Sequence, residues 1–295
     1  MTDQSQTDGN LFTATTPSGL KRILAQFEVK PKKQLSQSFL IDRNILKKIH
    51  AAAALSEEDF IIEIGSGPGA LTEKLLQSGA RILAIEKDPK LYLATTRLIT
   101  PKLELLCADF LDLQLENLLK SRLQRGQKAK VISNIPYHLT SPILQRLLPS
   151  NEVISTAVVM MQSEVAQRCL APPCSKDYSA LSLFVQLYSN PKFLFHVKPT
   201  AFYPPPTITS TVIYFDLKPF PKAMSPQSFF PIVKAAFHQR RKTLKRSLAS
   251  LFGAQAVTSA LKTLDLPPLA RPEELSPQAF LRFALQLKDQ VKHSS

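Results

Sequence analysis

The sequence predicts an α/β fold, in which a parallel, doubly wound sheet is followed by a small all-helical domain. Short apolar runs alternate with helical segments from about residue 44 to residue 217, and this alternation is typical of strands joined by crossover helices. A Gly-rich turn lies directly after the first of these runs. Beyond Pro219 the apolar spacing is helical and no strand pattern recurs.

The predicted elements follow one another in the order that such a sheet requires. Asp42 or Asn44 is a suitable N-cap for the first helix, whose apolar residues recur at helical spacing. Gly79 is suited to end the helix that follows the Gly-rich turn. The predicted strands cover residues 60–64, 81–86, 103–108, 131–133, 156–161, 193–197 and 211–217, and the predicted helices cover 44–55, 70–77, 89–99, 141–148, 163–169 and 180–187.

The sequence predicts that the chain is divided into three segments. Residues 1–20 are polar and rich in Thr, Ser, Gln and Gly, so we expect a disordered tail. Residues 21–217 form the predicted α/β domain. Residues 218–295 form the predicted helical domain, which begins at the proline-rich stretch Lys218-Pro219-Phe220-Pro221.

The charge of the chain indicates a polyanionic partner. Its 295 residues carry a formal net charge of +14, which favours nucleic acid over an acidic protein surface. The alternative is an evenly spread basic surface that serves only solubility.

The cysteines and histidines predict no metal site. Cys107, Cys169 and Cys174 have a spacing that fits neither a zinc site nor a disulfide framework, and the five histidines form no ligand pattern. No apolar run approaches the ~20 residues of a membrane span, and residues 1–10 lack the apolar core of a signal peptide. We therefore expect a cytoplasmic protein.

The Gly-rich turn predicts a nucleotide-like cofactor. Residues 63–70 read Glu-Ile-Gly-Ser-Gly-Pro-Gly-Ala between a strand and a helix, and Glu86 ends the next strand about 20 residues on, where it can bind ribose hydroxyls. A dinucleotide and S-adenosylmethionine both suit this pattern. Glu63 before the glycines, and Pro68 where a pyrophosphate site would offer an N–H group, favour S-adenosylmethionine. Asp109 ends the third strand, either to meet an adenine amine or to cap a helix.

The tetrapeptide Asn134-Ile135-Pro136-Tyr137 follows the fourth predicted strand. It offers an amide oxygen, backbone carbonyls freed from pairing by the proline, and a flat ring. These groups suit the planar exocyclic amine of a nucleobase. The alternative interpretation is a turn with a buried aromatic residue, since Asn and Pro are common in turns.

The order of these motifs resembles the KsgA/RsmA family of ribosomal RNA adenine dimethyltransferases. The resemblance extends over roughly residues 21 to 285. The motifs that carry it are Gln37-x-Phe39-Leu40, Glu63-x-Gly-x-Gly-x-Gly69, the strand-end Glu86, Ala108-Asp109, Asn134-Ile135-Pro136-Tyr137, Phe202-Tyr203-Pro204-Pro205-Pro206-x-x-x-Ser210 and Phe237-His-Gln-Arg-Arg-Lys-Thr-Leu244.

This resemblance implies transfer of two methyl groups from S-adenosyl-L-methionine to N6 of each of two adjacent adenosines near the 3′ end of small-subunit (16S) ribosomal RNA, coupled to small-subunit biogenesis. The implied partner is that RNA or an immature small subunit. The implied cofactor contacts are Ser38, Leu40, Gly65, Glu86, Asp109 and Asn134. The chain departs from the family pattern at Ser38, where Asn is common and where the shorter hydroxyl would need a backbone or water-mediated contact.

The resemblance also implies roles at the target base. Hydrogen bonds from the adenine amine to the Asn134 side chain and the Ile135 carbonyl would favour a tetrahedral, nucleophilic nitrogen. Tyr137 would stack on one face of the base, and Phe202 is the candidate for the other face.

Two basic segments are candidate RNA contacts. One is the run from His238 to Arg246, and the other is the arm from Lys30 to Lys33. A solvated helix face is the usual alternative for a charge run, but almost no acids interrupt these two. The predicted RNA-binding residues are Lys32, Lys33, Arg240, Arg241, Lys242, Lys245 and Arg246.

Three other functions stay open at this point. An adenine methyltransferase acting on another ribosomal RNA site would share the same motifs. A nicotinamide-dependent oxidoreductase would leave the tetrapeptide and the basic run unexplained. A mainly non-catalytic ribosome-assembly factor is a third possibility. We expect a monomer, since no exposed apolar stripe is evident in the sequence.

Overall fold

The computed structural model describes residues 12–31, 37–239 and 242–292. The chain forms two compact units that alternate along the sequence. The first comprises residues 1–143, 152–163 and 194–214, and the second comprises 144–151, 164–193 and 215–295. The predicted division at residue 217/218 is therefore wrong in one respect. Two earlier segments join the C-terminal region in the second unit, because helices before residue 193 share its core.

The elements have the following bounds. The strands are β1 (Phe39–Leu40), β2 (Phe60–Ile64), β3 (Arg81–Glu86), β4 (Leu103–Cys107), β5 (Ala129–Asn134), β6 (Ile154–Gln162), β7 (Ser189–Val197), β8 (Phe202–Tyr203) and β9 (Ser210–Leu217). The helices are α1 (Pro17–Gln26), α2 (Arg43–Ala52), α3 (Ala70–Leu76), α4 (Pro89–Thr95), α5 (Leu115–Lys120), α6 (Thr140–Leu147), α7 (Ser163–Leu170), α8 (Ala180–Tyr188), α9 (Pro226–Phe237), α10 (Leu244–Phe252), α11 (Ala254–Thr263) and α12 (Pro277–Lys292).

The main sheet has seven strands in the order β4-β3-β2-β5-β6-β9-β7. The pairings from β4 through β6 are all parallel. Every residue of β2 is buried, which explains why it is apolar except at Glu63. The chain order reverses between β2 and β5, so the carboxyl ends of the strands there border the crevice in which such sheets bind ligands. The predicted alternation of strands and helices is confirmed.

A second, two-stranded sheet was not predicted. In it β1 pairs with β8 in antiparallel fashion, so that Phe39 lies opposite Tyr203 and Leu40 lies opposite Phe202. The backbone N–H of Ile41 donates to the carbonyl of Ala201 at 2.9 Å and extends the pairing. Strands of two residues are too short to show a periodic pattern, and the sequence indicated an arm and a loop here.

The predicted disorder of residues 1–20 is wrong for the part that the structure describes. Helix α1 begins at Pro17, and the side chain of Thr16 caps it by accepting a hydrogen bond from the Gly19 N–H at 3.1 Å. Leu20 is fully buried. Residues 1–11 lie outside the described part of the chain.

A carboxylate on α3 holds this N-terminal segment. Glu73 accepts hydrogen bonds from the Thr13 hydroxyl at 2.6 Å and from the Ala14 N–H at 3.0 Å. Arg97 forms an ion pair with the same carboxylate at 2.6 Å, and both side chains are largely shielded from solvent. Polar composition alone predicts disorder, and this long-range network overrides it.

The second unit is built from helices around phenylalanines. Phe229, Phe280 and Phe283 are fully buried, and neighbouring rings meet edge to face. After residue 218, all regular elements that the structure describes are helical. The basic run does not form one helix, because α9 ends at Phe237 and α10 begins at Leu244. In the described part of the chain, no helix is long and apolar enough to cross a membrane.

Replacing Glu73 should loosen the N-terminal segment. We expect Glu73→Ala to lower the free energy of unfolding by roughly 2–3 kcal/mol, since it leaves Arg97 and two donors without their acceptor. Hydrogen exchange should accelerate in residues 12–20. Urea unfolding and exchange mass spectrometry measure the two effects.

The control is Glu116→Ala, which removes an exposed carboxylate from an ion pair with Lys120. Its cost should stay within about 0.5 kcal/mol. Equal losses in the two variants would contradict a structural role of the Glu73 network.

Candidate active site

A cavity of about 420 Å³ lies at the carboxyl ends of β2, β3, β4 and β5. Its walls include strand ends, the Gly-rich turn, β1 and the loop after β5. The predicted site residues that line it are Ser38, Gly65, Glu86, Asp109, Asn134, Ile135 and Tyr137. The structure therefore brings together groups that lie about 100 residues apart in the sequence.

The Gly-rich turn allows a ligand to approach the backbone. Gly67 has a φ of +55°, and Gly69, the residue before α3, has a φ of +87°. A Cβ atom at Gly69 would lie 2.7 Å from Cδ1 of Leu98, so a side chain there would require this leucine to shift. The positive φ angles favour glycine at both positions.

Glu86 is held rigidly beside this turn. Its two carboxylate oxygens accept hydrogen bonds from the backbone N–H groups of Gly67 and Asp88, each at 2.9 Å. Burial raises the pKa of Glu86, and these hydrogen bonds oppose that rise. A carboxylate fixed in this way can accept further hydrogen bonds from a pair of ribose hydroxyls.

Glu63 supports the turn from beneath and is not among the residues that line the cavity. The hydroxyl of Thr72, on α3, donates to it at 2.6 Å. Burial raises the pKa of Glu63 to about 8, and the nearby carboxylate of Glu86 adds to the rise. This residue links β2 to α3 across the Gly-rich turn.

Asp109 fulfils its predicted capping role, and it also lines the cavity. One oxygen accepts from the Leu111 N–H at 2.9 Å and caps the short 3-10 helix Phe110–Asp112. The other oxygen pairs with Lys87 at 2.7 Å. The hydrogen bonds from Lys87 and Leu111 lower the pKa of Asp109, so it stays ionised where it lines the cavity. Lys87, which directly follows Glu86, is not among the predicted site residues.

Asn134 lines the cavity and carries an unpaired acceptor. Its side-chain oxygen is buried and has no hydrogen-bond partner among the described residues. A buried polar atom without a partner destabilises a protein, so this atom is suited to a donor that a ligand brings. The Ser133 hydroxyl donates to the Ile64 carbonyl at 2.5 Å and ties this strand end to β2.

Tyr137 adds a flat surface next to Asn134. It begins the 3-10 helix Tyr137–Leu139 and is 9% exposed. Its hydroxyl lies 2.6 Å from the hydroxyl of Ser210. Burial raises the pKa of Tyr137, so the phenol stays neutral.

Two predicted site residues do not reach the cavity. Leu40 and Phe202 face one another in the β1–β8 pair, are 4% and 3% exposed, and belong to the hydrophobic core. The predicted stacking of Phe202 on the base is wrong for this structure, because its ring packs into the core. Phe39, the neighbour of Leu40, lines the cavity instead.

The predicted RNA contacts lie elsewhere or outside the described residues. Lys242, Lys245 and Arg246 are exposed at the start of α10. Four predicted contacts fall outside the described part of the chain: Lys32, Lys33, Arg240 and Arg241.

The described residues contain no group of three His, Cys, Asp or Glu side chains that could hold a metal ion.

A family profile described as "Ribosomal RNA adenine dimethylase" matches residues 28–289, nearly the whole chain. The chain belongs to this family. Two similar proteins, each named "Ribosomal RNA small subunit methyltransferase A", come from Protochlamydia amoebophila (42% identical over 279 residues, 94% of this chain and 98% of the relative) and Chlamydia caviae (41% over 274 residues, 92% and 97%).

Solved structures agree on the fold of this ribosomal RNA adenine dimethylase. A dimethyladenosine transferase from Plasmodium falciparum superposes with a TM-score of 0.72 at 23% identity, covering 86% of this chain and 98% of its own. The 23S rRNA methyltransferase ErmE gives a TM-score of 0.63 at 23% identity, with coverages of 85% and 99%. The predicted Rossmann-like fold with a helical C-terminal region is confirmed.

The dimethylase uses S-adenosyl-L-methionine, as predicted. The alternative of a nicotinamide-dependent oxidoreductase is therefore wrong. This cofactor supplies an electrophilic methyl group on a positively charged sulfur. The cavity fits it chemically, since it combines a close-approach turn, fixed carboxylates at Glu86 and Asp109, and the unpaired acceptor of Asn134.

Glu63 should make stability fall as the pH rises. Its folded-state pKa of about 8 exceeds the ordinary 4.5, so between these values the folded state binds a proton that the unfolded state lacks. The free energy of unfolding therefore decreases as the pH rises from about 4.5 to about 8. We expect Glu63→Gln, which can still accept from Thr72, to flatten this decline in urea unfolding measured across the range.

The control is Glu58→Gln, an exposed carboxylate near the start of β2. It should reproduce the wild-type pH dependence. The Glu63 assignment fails if Glu63→Gln and wild type lose stability in parallel.

Proposed function

We propose that Asn134 and Ile135 orient the N6 amine of a small-subunit ribosomal RNA adenosine for methylation. The observation that carries the proposal is the buried side-chain oxygen of Asn134, which lines the cavity and has no partner among the described residues. The full-length similarity to two small subunit methyltransferases supports the choice of RNA. The proposed substrates are the two adjacent adenosines near the 3′ end of 16S ribosomal RNA, each dimethylated.

The chemistry explains why an unpaired acceptor is needed. The N6 lone pair of adenine is delocalised into the ring, which makes the amine a poor nucleophile. Hydrogen bonds from this amine to the Asn134 amide oxygen and the Ile135 carbonyl favour a tetrahedral nitrogen with a localised lone pair. Positioning of this kind can lower a barrier by several kcal/mol.

The same cavity holds the methyl donor in this proposal. Glu86 accepts from ribose hydroxyls, and Asp109 accepts from the adenine amine of the cofactor. Gly65 brings the backbone close, and Ser38 contributes through its backbone or a water molecule. All four residues line the cavity.

Tyr137 contacts the target base once that base has left its stack. Its ring lies three residues beyond Asn134 and borders the same cavity. Stacking of a base on an aromatic side chain contributes ~1–3 kcal/mol, which offsets part of the cost of extruding the nucleotide. The burial of Phe202 leaves Tyr137 as the proposed stacking residue.

The second unit supplies the proposed RNA contacts. No aspartate or glutamate occurs between Asp216 and Asp265, a stretch that includes the basic run. Leu244 and Leu248 are buried on one face of α10, which leaves Lys245 and Arg246 exposed on another. Such a surface attracts RNA phosphates.

The remaining parts of the proposal concern the biological setting. The partner is an immature small ribosomal subunit, and the protein acts on it as a monomer in the cytoplasm. The role in small-subunit biogenesis follows from methylating RNA within that particle.

Removing the acceptor should abolish turnover. We expect Asn134→Ala to reduce methylation roughly 10²–10³-fold, the cost of losing one preorganised polar contact to the reacting group, while cofactor binding weakens only partly. Radiolabelled cofactor with immature small subunits and nucleoside analysis measure turnover, and calorimetry measures binding.

Asn44→Ala, an exposed asparagine on α2, is the matched control and should behave as wild type. Near-normal turnover in Asn134→Ala would contradict the proposed mechanism. Label found only in large-subunit RNA would instead contradict the proposed substrate and favour an enzyme acting at another ribosomal RNA site.

Neutralising α10 should weaken RNA binding in a salt-dependent way. For the double variant Lys245→Ala/Arg246→Ala, we expect the slope of log K against log salt to become shallower by about 1.4–1.8, because each lost phosphate contact removes about 0.7–0.9. Filter binding to small-subunit RNA at several salt concentrations measures the slope.

The double variant Lys102→Ala/Lys120→Ala removes two other exposed charges and should keep the wild-type slope. An unchanged slope in the α10 variant would show that these residues do not contact RNA phosphates.

A further inference from the structure

We propose that Ser210 is a positioning residue, which holds the ring of Tyr137 in the orientation that receives the target adenine. The proposal rests on the proposed role of Tyr137 as the base contact. It adds a residue from β9, outside the cavity, to the machinery of methyl transfer.

The contact between the two residues is short and buried. The hydroxyl oxygens of Tyr137 and Ser210 lie 2.6 Å apart, although the residues are 73 positions apart in the sequence. Ser210 is 0% exposed and does not line the cavity. Its side chain thus cannot touch a bound nucleotide, and any effect on the reaction must pass through Tyr137.

Ser210 is the fixed member of this pair. It is the first residue of β9, which lies inside the main sheet between β6 and β7. On one side, the carbonyl of Thr209 accepts from the Ser163 N–H at 3.1 Å. On the other side, the Thr211 hydroxyl is hydrogen-bonded to the Ser163 hydroxyl at 2.8 Å and to the His196 ring at 2.9 Å.

Tyr137 is anchored less firmly. It belongs to a 3-10 helix of three residues, where its carbonyl accepts from the Thr140 hydroxyl at 3.0 Å. A hydrogen bond at the far end of the phenol restricts rotation about both side-chain bonds at once. The phenol stays neutral because it is buried, so this restraint persists over the ordinary pH range.

The restraint matters because the ring and the amide oxygen lie on one short segment. If the ring swings, a base stacked on it moves relative to the oxygen of Asn134. A misplacement of about 1 Å at a reacting group can cost about 10²-fold in rate. A merely structural hydrogen bond would change stability and leave the rate of the folded enzyme untouched.

The test compares Tyr137→Phe, Ser210→Ala and the double variant in steady-state kinetics, well below their melting temperatures. We expect each single variant to lower kcat about 10-fold, with the KM for the cofactor unchanged. The double variant should be no slower than either single variant, because both remove the same restraint. Ser189→Ala is the control, since it removes a buried hydroxyl that donates to the Val185 carbonyl at 2.8 Å without touching Tyr137 or the bonds around Ser210, and it should keep the wild-type kcat.

Three results would overturn the proposal: wild-type kcat in Ser210→Ala, losses that multiply in the double variant, or an equal loss in Ser189→Ala. The proposed function is tested separately. An inactive Asn134→Ala together with a fully active Ser210→Ala refutes only the positioning role, whereas an active Asn134→Ala refutes the proposed function.

Discussion

The parallel pairing of β2 with β3 and β5 is the constraint on which the site depends. Adjacent strands lie ~4.8 Å apart, so side chains at their carboxyl ends converge even when the sequence separates them widely. Glu86, Asp109 and Asn134 meet in this way. Because side chains alternate between the two faces of a strand, a slip of one residue in any pairing would turn one of these groups away from the cavity.

Strand-end groups were predictable because each follows a long buried run with a clear boundary. The features that the sequence does not predict depend on contacts between distant segments. Phe202 packs in the core because it pairs with Leu40, and no local sequence pattern predicts this pairing. The Glu73 network orders a segment whose polar composition predicts disorder, and the bond from Tyr137 to Ser210 likewise joins two motifs that lie 73 residues apart.

Positive charge and carboxylates lie in different parts of the chain. Its overall charge is strongly positive, and the stretch from residue 217 to residue 264 contains no acid. The cavity, in contrast, presents Glu86 and the ionised Asp109. In the proposed function, the cavity carboxylates would attract the cationic methyl donor and the basic stretch would attract RNA phosphates, so the two would not compete for the same residues.

The fixed carboxylate of Glu86 has a consequence for repeated turnover. Methyl transfer converts the positively charged sulfonium of the donor into a neutral thioether. If Glu86 holds the cofactor as proposed, its carboxylate would attract the charged donor more strongly than the neutral by-product, by simple Coulomb attraction. The site would then bind the spent cofactor less strongly than the donor. Dimethylation consumes two donors for every adenosine, so this built-in preference favours replacing the exhausted molecule between the first methyl group and the second.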